Sequence, residues 1–170
     1  MSFIHVCSLA RIEAAVAEIG ARSMVTLLQA GTPIVRPAAI AVDRHLFLSL
    51  SDIIEPVEGH ILPDTEHVET LLDFVYAWDR AAPLLIHCFA GVSRSTAAAF
   101  IGACALNAAR DESEIARAIR AASPTATPNA RLVALADDIL GRNGRMNEAI
   151  AAIGRGENCT EGVPFSLPIA

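Results

Sequence analysis

Between Leu84 and Thr96 the chain reads Leu-Leu-Ile-His-Cys-Phe-Ala-Gly-Val-Ser-Arg-Ser-Thr, and several of these residues could do chemistry together. Cys88 ends a short apolar run, Leu84 to His87, that predicts a buried strand. Five residues separate it from Arg94, where an Ala-rich stretch predicts a helix. A cysteine at a strand end, a Gly-bearing loop and an arginine at a helix start make an anion site with a nucleophile at its base. The backbone N–H groups of Phe89, Ala90, Gly91, Val92 and Ser93, with the helix N-terminus, attract a dianion. The planar guanidinium of Arg94 can clamp two of its oxygens, and the same field favours Cys88 as the attacking thiolate. Gly91 can adopt the φ > 0 turn that points successive N–H groups inward, and Ser95 can donate a hydrogen bond to the sulfur. Phosphoryl transfer is the chemistry that fits.

Spacing alone would not carry this. With 4 cysteines and 13 basic residues, all arginine, about 0.3 chance matches to Cys-x5-Arg are expected. Cys104 to Arg110 is such a match, but it has no glycine and no preceding strand, and it lies within a helical pattern. Context separates the two.

The elements that must position the loop alternate between strand and helix, which predicts an α/β layer structure. Strands are expected at Phe3–Leu9, Met24–Leu28, Leu46–Leu50 and Leu84–His87. Ile34–Val42 reads as a Pro-containing connection or an edge strand. Helices are expected at Arg11–Ala21, from Asp64 or Thr65 to about Arg80, and at about 94–109, 112–122, 129–142 and 145–153. Tyr76 and Trp78 on the second of these read as core. Residues 154–170 show no periodicity and read as a loose tail.

The run His87-Cys88-Phe-Ala-Gly91-Val-Ser-Arg94-Ser95 resembles the phosphate-binding loop of the cysteine-based protein tyrosine phosphatase superfamily, and specifically its small dual-specificity branch, whose pattern is His-Cys-x-x-Gly-x-Ser-Arg-Ser. Ser123-Pro-Thr-Ala-Thr-Pro128-Asn129 is similar to a Pro-Asn segment downstream in that branch. The resemblance implies a single α/β domain over residues 1–155, with a central, mixed but mostly parallel sheet flanked by helices, and a tail at 156–170. It implies hydrolysis of phosphomonoesters, on phosphorylated protein or small substrates, through a cysteinyl-phosphate intermediate, with no metal or organic cofactor required. A phosphate or sulfate ion is the expected occupant of the loop. The resemblance also implies an aspartate on a loop after a strand, a few dozen residues before the cysteine, to protonate the leaving oxygen. Asp52 stands in that place. Asp64 is better explained as a helix cap, Asp43 precedes its strand, and Glu55 and Glu58 share the loop of Asp52. His87 is expected to brace the loop from behind. Asn129 is either the N-cap of the next helix or an organiser of the phosphate loop.

The rest of the composition sets bounds. A chain of 170 residues is one domain by length. The hydrophobic share, 53%, is inflated by 32 alanines, so the core of large side chains is ordinary. A net charge of −6 and the lack of any basic run argue against nucleic-acid or anionic-membrane partners. Arginine without lysine is the pattern expected of a GC-rich bacterial genome. Cys7, Cys88, Cys104 and Cys159 are far apart in sequence, and reduced thiols in a cytoplasmic protein are the expectation. His60 and His67 lack a third ligand at metal spacing and read as solvated residues. Phe89, Ala90, Val92 and Ser93 bring no positive charge to the loop, which disfavours polyphosphorylated inositol substrates. Two other readings stay open: a module that binds phosphate without turnover, and a rhodanese-like sulfurtransferase. The Gly-x-Ser-Arg-Ser run speaks against the second.

Overall fold

Short, mostly apolar runs predict strands covered on both faces, and two such strands form the middle of the structure. The computed structural model describes residues 2–169. Its sheet comprises β1 (Ser2–Ser8), β2 (Ser23–Leu28), β3 (His45–Ser49), β4 (Leu84–Cys88) and β5 (Phe165–Ile169), in the order β3-β2-β4-β1-β5. Every residue of β2 and β4 is buried. β1 to β4 run parallel to their neighbours, and β5 is antiparallel to β1. The fold is a single α/β domain with a mixed sheet between helices, as expected.

One face of the sheet is covered by α1 (Ile12–Ile19): Cys7, Met24 and Leu85 pack with Ile12, Ala15, Val16 and the loop residue Ile40. The other carries α2 (Thr65–Ala77), α3 (Arg94–Leu106), α4 (Glu112–Ala122), α5 (Ala130–Leu140) and α6 (Arg145–Ile153). Helix α3 is buried from Arg94 to Cys104. Its Ala97, Ala98, Ala99 and Ala103 make a thin cylinder that other elements surround. A Cβ at Gly102 would lie 3.2 Å from Ile4 Cδ1, so the glycine lets α3 press closely on the sheet. This fixes the N-terminus of α3, and with it Arg94, at the end of β4.

The sheet register does the rest. Ser8 lies beside Cys88 and Leu28 beside Ser49, so the C-terminal ends of the parallel strands share one edge. That is where open α/β sheets bind ligands.

The structure decides one open reading and corrects two expectations. Ile34–Val42, a connection or an edge strand by sequence, is a connection. Tyr76 faces solvent at 56% exposure, whereas Trp78 is buried with its Nε1–H donating to Ala82 O. The expected loose tail contains β5. Its apolar side chains Phe165, Leu167 and Ile169 alternate with exposed Ser166 and Pro168, so the signal was a period of two over five residues. Pro168 obscures it, because proline is tolerated only at an edge, and β5 is the edge strand.

Candidate active site

The loop from Cys88 to Arg94 joins β4 to α3 with no residue to spare. Gly91 has φ +72°, and a Cβ there would lie 2.8 Å from Cys7 C and 2.9 Å from Ser8 N. Only glycine permits both the turn and the approach to the end of β1. The turn brings Gly91 N–H to 3.3 Å from Cys88 Sγ, with Ser95 Oγ 3.1 Å from the same sulfur.

Arg94 is buried at 8% exposure, and Nη1 donates to Leu50 O at 3.1 Å. Its Nε is buried without an acceptor, and it forms no ion pair among the described residues. A buried guanidinium is costly unless an anion meets it. The charge, the unused donor and the loop amides therefore fit a tetrahedral oxyanion above Cys88.

The other cysteines serve different ends. Burial pushes the thiols of Cys7 and Cys104 up to about 12, which keeps both protonated. Cys159 is exposed.

Asp52 follows β3 and is held at the mouth of the site. Ser51 N donates to Ile61 O and Ser51 Oγ accepts from Ile61 N, pinching off the intervening loop. Asp52 Oδ1 accepts from Ser93 Oγ at 2.7 Å and Asn129 Nδ2 at 3.0 Å, and Oδ2 has no hydrogen-bond partner among the described residues. Asn129 unites the two roles left open for it. Its Oδ1 caps α5 through Leu132 N, while its side-chain amide holds Asp52 and its backbone N–H holds Ser93 O. Asp64 caps α2 in a reciprocal pair with His67, and Asp43 precedes β3 at the opposite edge of the sheet. Glu55 lines a groove beside Asp52, and Glu58 is exposed.

His87 lies behind the loop, fully buried. A carbonyl only accepts, so at 3.2 Å His87 Nδ1–H donates to Cys88 O. Nε2 must then accept, and Thr26 Oγ1 donates to it at 2.7 Å. Thr26 in turn accepts from His45 Nε2 at 2.7 Å. Sequence reasoning missed Thr26 and His45; the cross-strand register alone brings them to His87. Burial pushes His87 down to about 4. The folded chain thus refuses a proton that the unfolded chain accepts below about pH 6.5. Stability is full above that value and falls as pH drops toward 4. By this linkage wild type is expected to lose about 2 kcal/mol between pH 7 and pH 5 through His87. Urea unfolding at the two pH values checks this: the same loss in His87→Gln would show that the titration lies elsewhere.

Two open grooves meet at the Asp52–Ser93 pair. One, of about 850 Å³, runs past Val92 to Ile150, Arg155 and Cys159. The other, of about 690 Å³, is walled by Ile54, Glu55, Val57 and Pro128. Ile54 and Val57 on the wall of this groove are exposed, as is Phe89 of the loop.

No family model matches the chain, and no curated protein matches it by sequence. Solved structures do match. Human DUSP28 is 18% identical with a TM-score of 0.60 over 89% of this chain and 94% of that one. DUSP15 is 16% identical with a TM-score of 0.63 over the same shares, 89% and 94%. The PTP-2 phosphatase of Cydia pomonella is 20% identical with a TM-score of 0.61, over 78% of this chain and 83% of that one. The chain has the fold of the small, dual-specificity branch of the cysteine-based tyrosine phosphatases.

Proposed function

We propose that the chain is a phosphomonoester hydrolase of the dual-specificity protein phosphatase type, acting through a cysteinyl-phosphate intermediate. One observation carries this reading: Cys88 Sγ lies under an inward loop amide and Ser95 Oγ, beside a buried arginine that no carboxylate neutralises.

In the first step the Cys88 thiolate attacks phosphorus in line, while the amides of residues 89–93 and Arg94 hold the equatorial oxygens. Asp52 Oδ2 gives its proton to the departing oxygen. The S–P bond forms as the P–O bond breaks. In the second step the Asp52 carboxylate takes a proton from water, which attacks the cysteinyl phosphate and releases inorganic phosphate. Ser95 donates to the sulfur as it leaves, and Ser93 and Asn129 keep Asp52 aimed. Such a site takes phosphorylated protein side chains or small phosphomonoesters. Apolar Phe89, Ile54 and Val57 suit an aryl or aliphatic ester, and the absence of a cation among residues 89–93 disfavours polyphosphorylated ligands.

Hydrolysis of para-nitrophenyl phosphate across pH tests this reading. Wild type should turn over, and Asp52→Asn, which preserves both hydrogen bonds to Oδ1, should lose about 10²-fold in kcat together with the basic limb of the profile. Unchanged kcat in Asp52→Asn would move the acid to Glu55 or Glu58. Tungstate binding without turnover in wild type would make the chain a binding module.

A further inference from the structure

The C-terminal segment does more than complete the sheet. Four carbonyls of the loop have a donor from elsewhere in the chain, three of them being Leu9 N for Phe89 O at 3.0 Å, Thr127 N for Val92 O at 2.9 Å, and Asn129 N for Ser93 O at 3.1 Å. The donor to Ala90 O, at 2.8 Å, is Gly162 N. A peptide unit is planar, with its C=O and N–H pointing opposite ways. The unit whose carbonyl Gly162 holds is the one whose N–H, on Gly91, reaches Cys88 Sγ at 3.3 Å. One peptide plane therefore links residue 162 to the nucleophile.

The fit is close on both sides of that plane. A Cβ at Gly91 would collide with the backbone of Cys7 and Ser8, and a Cβ at Gly162 would lie 2.5 Å from Gly91 O. Three backbones stack here, and glycine at two positions permits it. Glu161 anchors the stack, since Oε1 accepts from Ser8 Oγ at 2.7 Å and from Arg11 Nε at 2.8 Å. Ser8 is the residue beside Cys88 in the sheet. Beyond the contact, Val163 N donates to Thr125 Oγ1 and its carbonyl accepts from Ser123 Oγ, before β5 begins.

We propose that Gly162 is a positioning residue and that Glu161–Gly162 forms a strap that holds the Ala90–Gly91 peptide with its amide toward Cys88. This rests on the reading of residues 88–94 as a phosphate loop. Held this way, the amide is polarised by the bond on its far side and costs no reorganisation when an oxyanion or the thiolate needs it.

The test compares the full chain with Gly162→Ala, Glu161→Gln and Leu167→Ala. Leu167 is buried in β5, where it pairs with Ile4 of β1, so its variant weakens the strand. Readouts are thermal stability, kcat and KM for para-nitrophenyl phosphate, tungstate affinity by calorimetry, and the amide resonance of Gly91. In Gly162→Ala the Gly91 resonance should shift and tungstate affinity and kcat should fall, kcat by about 10²-fold as for a small misplacement of a catalytic group. Glu161→Gln should lose about threefold to tenfold, having weakened one charged anchor. Leu167→Ala should lose stability with kcat and the Gly91 resonance unchanged. Equal kcat losses in Gly162→Ala and Leu167→Ala, or an unmoved Gly91 resonance in Gly162→Ala, would overturn the strap. If wild type neither turns over nor binds tungstate, the phosphatase reading fails, and the Gly91 resonance still decides whether the strap holds the amide.

Discussion

Cys88→Ser is expected to abolish turnover of aryl phosphate, by about 10⁴-fold or more, while tungstate binding survives. Serine keeps the size and the hydrogen-bonding capacity of cysteine, so Ser95 Oγ and Gly91 N–H keep a partner and the loop keeps its turn. What is lost is the nucleophile, because a hydroxyl at neutral pH is not ionised and no general base lies behind it. The imidazole of His87 cannot substitute, since its Nδ1–H is committed to Cys88 O and its Nε2 to Thr26. Single-turnover measurement of nitrophenol release, with calorimetry of tungstate binding to the same sample, checks both halves. Residual turnover within tenfold of wild type would show that the nucleophile is another group, and Cys159 would be the first to examine.

Arg94→Lys is the second large effect, about 10³-fold in kcat/KM with loss of most tungstate affinity. Lysine preserves the charge and removes the fork. An ammonium meets one oxygen at a time, whereas the guanidinium reaches Leu50 O through Nη1 and keeps Nε available in the same plane. The variant also leaves Leu50 O, at the end of β3, without its donor, which loosens the strand end that carries Asp52. Thermal unfolding supplies an independent readout. An oxyanion that binds only the folded state raises Tm by mass action, so tungstate should stabilise wild type and leave Arg94→Lys nearly unmoved. Equal stabilisation of both proteins would mean that the anion does not sit on Arg94.

These two effects are large for a reason visible in the packing. Arg94 is a buried cation that forms no ion pair among the described residues. Contrast Arg142, equally buried, whose Nη1 meets Glu112 at 2.9 Å and whose Nη2 donates to Cys104 O. One buried arginine is neutralised within the fold, and the other keeps its charge and a donor unmatched among the described residues. That difference is a sign of function.

Much of this was legible in the sequence. Period and composition mark β4, α4 and α6 nearly to the residue and the starts of α2 and α3, whose ends come three residues earlier than expected, because apolar runs, an Asp cap and Ala-rich helices are local signals. The spacing from Cys88 to Arg94, with Gly91 between, defines an anion-binding turn because the geometry of seven consecutive residues is almost wholly local. Asp52 could be expected at the edge of the sheet that carries the Cys88 loop, where its Oδ1 meets Ser93 Oγ, since the end of a parallel strand is a fixed edge. Other features lay beyond local reading. Thr26 and His45 reach His87 only through the order β3-β2-β4, which no window of sequence encodes. Asn129 joins Asp52 across 77 residues. The strap was read as a tail because its role rests on backbone contacts of Gly162 with Ala90 and Gly91, and a backbone contact leaves no side-chain pattern to read. The sequence by itself determined the turn that joins Cys88 to Arg94, because covalent proximity holds these residues together. Only the tertiary structure decided what aims the loop, since the donors to its carbonyls come from the residue after β1, from the segment before α5 and from the C-terminal strap, and packing alone brings them to one place.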